Sequence, residues 1–208
     1  MSGIVEPLDD DAASGLEALG AAMRRLNDVA VGTGASPGDV AAVTAELDAI
    51  ADRLGATPRR DNPNDTPYHP ASLVGGRAHP VAPQLRLVRT DAGVEGTVVL
   101  GPTFEGGPGL VHGGILALLL DHALGTAVFL DGHAAMTRAL DVVYHAPTQL
   151  GRVAHITAYV HRVDGRKVHA VAELTVAGTL TASATAVFVR LTADNVARIF
   201  AARENMGG

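Results

Sequence analysis

The run Gly113–Leu130, GGILALLLDHALGTAVFL, is apolar on every side except for Asp121 and His122. A helix without a polar face has no side to offer water, so the rest of the fold must enclose it. The run is barely long enough to span a bilayer, and its two polar residues near the middle argue against a membrane helix. Only 3% of the 208 residues are aromatic and none is Trp, so the enclosing surface must be built from Ala, Val and Leu. A carboxylate within such a helix is costly unless it is paired or has a task. At the helix start, His112-Gly113-Gly114 leaves bare backbone N–H groups that a negative oxygen can approach. An anion-stabilising amide and a carboxylate are the parts needed to hydrolyse an activated acyl group.

The flanking sequence supplies strands to wrap this helix. Leu85 and Leu87 alternate with Arg86 and Val88, and Val94 to Leu100 follows an Asp-Ala-Gly turn. After the helix come four strand-like stretches, roughly 134–145, 152–163, 166–177 and 179–190. Asp164-Gly165 marks a tight hairpin and Ala177-Gly178-Thr179 the next reversal. The region 84–191 therefore reads as an α+β domain, strand, strand, long helix and four antiparallel strands, with the sheet curled about the helix.

Residues 1–57 form a helical extension. Leu16, Leu19, Met23 and Leu26 make one apolar stripe, and Val40, Val43, Leu47, Ile50 and Leu54 a second. Between them, Ser36 suits a helix cap, Pro37 the first helical position and Asp39 the positive helix end. The resulting hairpin is expected to bury its stripes on the main domain or on a sister subunit. Residues 58–83, rich in Pro, Gly, Asn and Asp, read as an irregular wrapping segment, and 192–208 as a short C-terminal helix or tail.

Composition narrows the chemistry. A net charge of −6 argues against a general nucleic-acid binder. The absence of Cys excludes disulfides, thiolate zinc sites and a cysteine nucleophile. No His/carboxylate set has metal-ligand spacing, and no glycine-rich dinucleotide fingerprint is visible. The acidic start, MSGIVEPLDDD, lacks the order of a signal peptide, so a cytoplasmic protein is expected.

The segment Glu105-Gly106-Gly107-Pro108-Gly109-Leu110-Val111-His112-Gly113-Gly114 carries a family resemblance. With it go Asp121, Leu124-Gly125, Thr137, Leu140 to Tyr144, Pro147, Leu150-Gly151 and Gly165-Arg166-Lys167. Over about residues 84–190 the chain resembles the hotdog-fold acyl-CoA thioesterases of the PaaI-like type. The resemblance implies a central helix wrapped by an antiparallel sheet, and a homodimer or dimer of dimers whose subunits join their sheets. It implies an acyl-CoA substrate and no cofactor beyond the coenzyme A of that substrate. It gives Gly113 N–H the oxyanion, Asp121 the role of general base or nucleophile, and Thr137 the positioning of water or carboxylate. His112 is expected to orient the turn or contact ligand, with direct proton transfer the lesser reading. Gly114 would line the substrate, and Arg138, Arg166 and Lys167 are the candidate partners of the coenzyme A phosphates. Two positions depart from the pattern: Gly106 stands where relatives often carry Asn, and His145 where they commonly carry Arg.

Helix rise adds a constraint independent of the resemblance. Eight residues separate Gly113 from Asp121, about 12 Å along the axis, too far for both to reach one thioester carbon. If both act, they serve different sites, each completed by a second chain. The alternatives are a non-catalytic acyl-CoA-binding or regulatory protein of the same fold, and a dehydratase acting on acyl thioesters.

Overall fold

The computed structural model describes residues 10–57 and 72–192, and the chain divides into two compact units, 1–82 and 83–208. In the first unit, helix α1 spans Asp10–Val31 and helix α2 spans Pro37–Gly55. Ser36 caps α2 as its spacing suggests, its hydroxyl oxygen accepting from the Asp39 N–H at 3.2 Å. Within this unit the two apolar stripes are not buried. Their residues remain 36–51% exposed, and α2 buries none of its residues.

The face that α1 does use is polar. Glu17, Gly20, Arg24 and Asn27 recur at three- and four-residue steps and hold the segment 77–80. Glu17 pairs with Arg77 at 3.1 Å, Arg24 donates to the carbonyls of Arg77 and His79, and Asn27 donates to that of Pro80. Gly20 permits the approach, since a Cβ there would lie 2.7 Å from the Ala78 carbonyl carbon.

The second unit is one six-stranded antiparallel sheet and a helix. Its strands are β1 (Arg86–Thr90), β2 (Gly93–Val99), β3 (Ala135–Tyr144), β4 (Val153–Asp164), β5 (Lys167–Val176) and β6 (Thr179–Arg190), in the spatial order β1-β2-β4-β5-β6-β3. Helix α3, Gly113–Leu130, packs across β2 to β6. This is the hotdog arrangement expected from the sequence. The helix supplies large side chains, with Leu119, Leu120 and Leu124 fully buried. The sheet answers with small ones, Ala154 and Ala158 on β4, Ala170 and Ala172 on β5, and Ala182, Ala184 and Ala186 on β6. Large against small lets the helix sit close to the strands without voids. The run that is apolar enough to cross a membrane is therefore the core of this unit.

Three register shifts bend the sheet around it. They fall between Thr137 and Ala139 on β3, between Val160 and Arg162 on β4, and opposite Leu174/Thr175 on β6. An extra residue in one strand increases local twist and curl. The expected C-terminal helix or tail, beyond residue 192, and residues 58–71 of the expected wrapping segment lie outside the described residues.

The β5–β6 turn contains a strained residue. Ala177 has φ +48°, followed by Gly178 at +79°, so a side-chain-bearing residue occupies the left-handed region. Ala177→Asn, which tolerates that conformation better, should raise stability by about 0.5–1 kcal/mol. Urea denaturation of the pair checks this; an unchanged or lower midpoint with unchanged slope would count against strain at the turn.

Candidate active site

The loop before α3 is stitched in place by its own backbone. Gly106 donates to the Leu110 carbonyl at 2.9 Å, Leu110 to that of Gly107 at 2.8 Å, and His112 to that of Phe104 at 2.9 Å. Val111 donates to the Thr148 carbonyl, while Leu150 donates to that of Gly109, fixing the loop to the segment after β3. At Gly106 a Cβ would stand 2.7 Å from the His112 Cα, so this backbone has no room for a side chain there.

The start of α3 has four N–H groups without partners one turn back. Ile115 and Leu116 both donate to the His112 carbonyl, at 2.9 and 3.3 Å. Gly114 donates to Nδ1 of His112 at 3.0 Å, making the imidazole the helix cap. Gly113 N–H alone carries no hydrogen bond among the described residues. Gly114 therefore does not present its N–H to a ligand. Nδ1 of His112 is occupied as an acceptor, which leaves Nε2 as the ring's donor. The carbonyl of Gly113 accepts from the Tyr144 hydroxyl at 2.8 Å.

Asp121 lies two turns further along α3, half-buried on the flank that also carries Leu118 and Gly125, both partly open. Thr137 donates to its Oδ1 at 3.1 Å, so the structure brings these two candidate residues together across helix and strand. The register shift at Arg138 makes this possible. Thr137 pairs with Phe188, but Leu140, Val142 and Tyr144 pair with Ala186, Ala184 and Ala182, all on the helix-facing side of β6. Thr137 and Tyr144 are seven residues apart, and in an unbroken strand they would face opposite sides. With one residue inserted, both face α3. The sequence contained no signal for that inversion, so strict alternation from Thr137 would have discarded Tyr144.

The candidate phosphate partners stand away from this pairing. Arg138 is the inserted residue of β3 and is exposed. Arg166 and Lys167 lie exposed at the β4–β5 turn, with Arg166 donating to the Arg190 carbonyl at 3.1 Å. His145 is engaged with the Ser183 hydroxyl at 2.8 Å. Leu116 and Leu120 are fully enclosed core residues, and Phe104 is half-buried.

Next to Asp121, burial pushes the half-buried His122 imidazole below the usual histidine range, opposed by a smaller upward pull from Asp121. The folded state therefore binds this proton less readily than the unfolded chain. Its contribution to stability is complete above about pH 6.5 and is lost as pH falls below that value. His79 in the first unit is shifted in the same direction, by burial and then by the Arg24 charge. His122→Gln should flatten, without abolishing, the fall in urea midpoint between about pH 6.5 and 5. A slope identical to that of the wild type would show that His122 is not part of it.

A profile of the thioesterase superfamily matches residues 108–183, from the loop before α3 into β6. Acyl-coenzyme A thioesterase THEM4 of Xenopus laevis is 45% identical over 69 residues, 33% of this chain and 31% of that protein. Its counterpart in Rattus norvegicus is 35% identical over 92 residues, 43% of this chain and 40% of that protein. The chain thus spans well under half the length of these relatives. A crystal structure of a thioesterase superfamily protein superposes with a TM-score of 0.77 at 34% identity, covering 84% of this chain and 94% of that one. Identity of this order, held along nearly the whole of a relative, shows that the chain belongs to the thioesterase superfamily.

Proposed function

We propose that the protein hydrolyses acyl-CoA thioesters to the free acid and coenzyme A. The observation that carries this reading is the single unpaired N–H of the α3 start among the described residues, at Gly113, on the helix that also carries the Asp121–Thr137 pair. An unpaired amide at the positive end of a helix dipole suits a developing oxyanion. Asp121, held through Oδ1 by Thr137, takes the proton of an attacking water or itself adds to the carbonyl; in either route water is consumed and the C–S bond breaks. His112 caps and orients the turn. The names of the THEM4 relatives support the substrate class. Arg138, Arg166 and Lys167 are the side chains suited to the coenzyme A phosphates.

The site is shared between subunits in this reading. Gly113 and Asp121 of one chain lie about 12 Å apart along the axis, so each completes a site with its counterpart from a second copy. The β3 edge of the sheet has no neighbouring strand among the described residues and exposes Met136 and Val143, which suits a homodimer joined at that edge. Asp121→Asn should lower kcat by at least about a hundredfold with the fold intact, measured by thiol release from acetyl-, octanoyl-, palmitoyl- and phenylacetyl-CoA. Full hydrolysis by that variant would sink the mechanism, and tight binding of acyl-CoA without turnover by wild type would favour the non-catalytic reading. Mixed dimers of Asp121→Asn and Gly113→Pro chains should regain one working site; no recovery from two folded variants would argue for sites within one chain.

A further inference from the structure

We infer that Tyr144 is a positioning residue of the reaction, acting through the peptide bond between Gly113 and Gly114. This rests on the reading of Gly113 N–H as the oxyanion donor. That peptide bond is held at both ends by side chains. Its N–H donates to His112 Nδ1 at 3.0 Å, and its carbonyl accepts from the Tyr144 hydroxyl at 2.8 Å. The Tyr144 ring also lies over Gly113, where a Cβ would come within 3.2 Å of Cζ and Oη.

The need for such a clamp follows from the sequence. Two successive glycines open α3, and glycine is the least restrained residue a helix can contain. They allow a substrate oxygen to come close, but they leave the first turn free to shift, and with it the direction of the Gly113 N–H. An oxyanion donor acts only if it is already aimed at where charge develops. On one side of Gly113, the His112 carbonyl is held by the N–H groups of Ile115 and Leu116. On the other side, Tyr144 and His112 hold the next peptide. The Gly113 N–H lies in the first of these peptide planes, and holding the second restrains the Gly113 φ and ψ about which the first could turn, so the N–H keeps one direction. Tyr144 itself lies on the last position of β3, an edge strand tied to β6 through the Tyr144–Ala182 pair, so the clamp is anchored outside the helix.

The test is Tyr144→Phe, which keeps the ring over Gly113 and removes only the hydroxyl. With the acyl-CoA that wild type hydrolyses fastest among the acetyl, octanoyl, palmitoyl and phenylacetyl esters, kcat should fall about tenfold while KM stays within about twofold. His112→Ala frees the other end of the same peptide, and its effect combined with Tyr144→Phe should be less than multiplicative. The second readout is the infrared stretch of the same ester, labelled with ¹³C at the thioester carbonyl and bound to Asp121→Asn protein. Binding should lower the frequency relative to water, and adding Tyr144→Phe should return part of that shift. Wild-type kcat together with an unchanged carbonyl frequency would overturn the role of Tyr144. So would a loss that falls equally on KM and on melting temperature, which marks a structural residue. Absence of any downshift in Asp121→Asn alone would instead remove Gly113 as the donor, whatever Tyr144 does.

Discussion

The enclosure of α3 is the constraint on which the rest of the second unit depends. Its leucines meet a sheet whose inward face is mostly alanine through β4, β5 and β6. Because the leucines interdigitate with these alanines and with Ile156, Val168, Leu174 and Phe188 of the strands, the helix cannot slide or rotate without driving a leucine into a strand or opening a void. Truncating one of these leucines to Ala would cost about 2–5 kcal/mol. That rigidity reaches both proposed site residues, since Gly113 and Asp121 are parts of the same helix. The amide at one end and the carboxylate two turns on keep a fixed separation and orientation.

Most of this was legible in the chain itself. An all-round apolar run of 18 residues calls for enclosure, and the turn residues Asp164-Gly165 and Ala177-Gly178 separate strands that the structure places within about a residue of their expected ends. His112, Gly113 and Asp121 stood out because their residue types are unusual beside so much Leu and Ala, whereas Thr137 entered only through the family resemblance. What stayed hidden depends on contacts that spacing does not encode. The hydrogen bond from Gly114 to His112 occupies one of two glycine amides that spacing alone does not distinguish. Tyr144 sits on the wrong parity relative to Thr137 unless the insertion at Arg138 is known.

The clasp within the first unit was not legible for a different reason. Periodicity marks apolar faces, so Leu16 to Leu26 drew attention as the packing surface of α1. The face that actually holds its neighbour in this unit combines a glycine with three polar side chains and reads backbone carbonyls from 77 to 80. Such a face resembles a solvated one in sequence, because Glu, Arg and Asn are as common there as in a hydrogen-bonded clasp. The open stripes of α1 and α2 are then left as separate surfaces with no role in that clasp.

The insertion at Arg138 also sets how β3 tolerates change in length. It acts as a phase shifter between two contacts on the same strand, one made by Thr137 and one by Tyr144. Losing or gaining one residue between them moves one of the two to the far side of the sheet, whereas a change of two restores the facing and disturbs only the spacing. Length variation within this short stretch is therefore quantised in pairs. A homologue that differs by a single residue there must have moved its bulge or given up one of the two contacts.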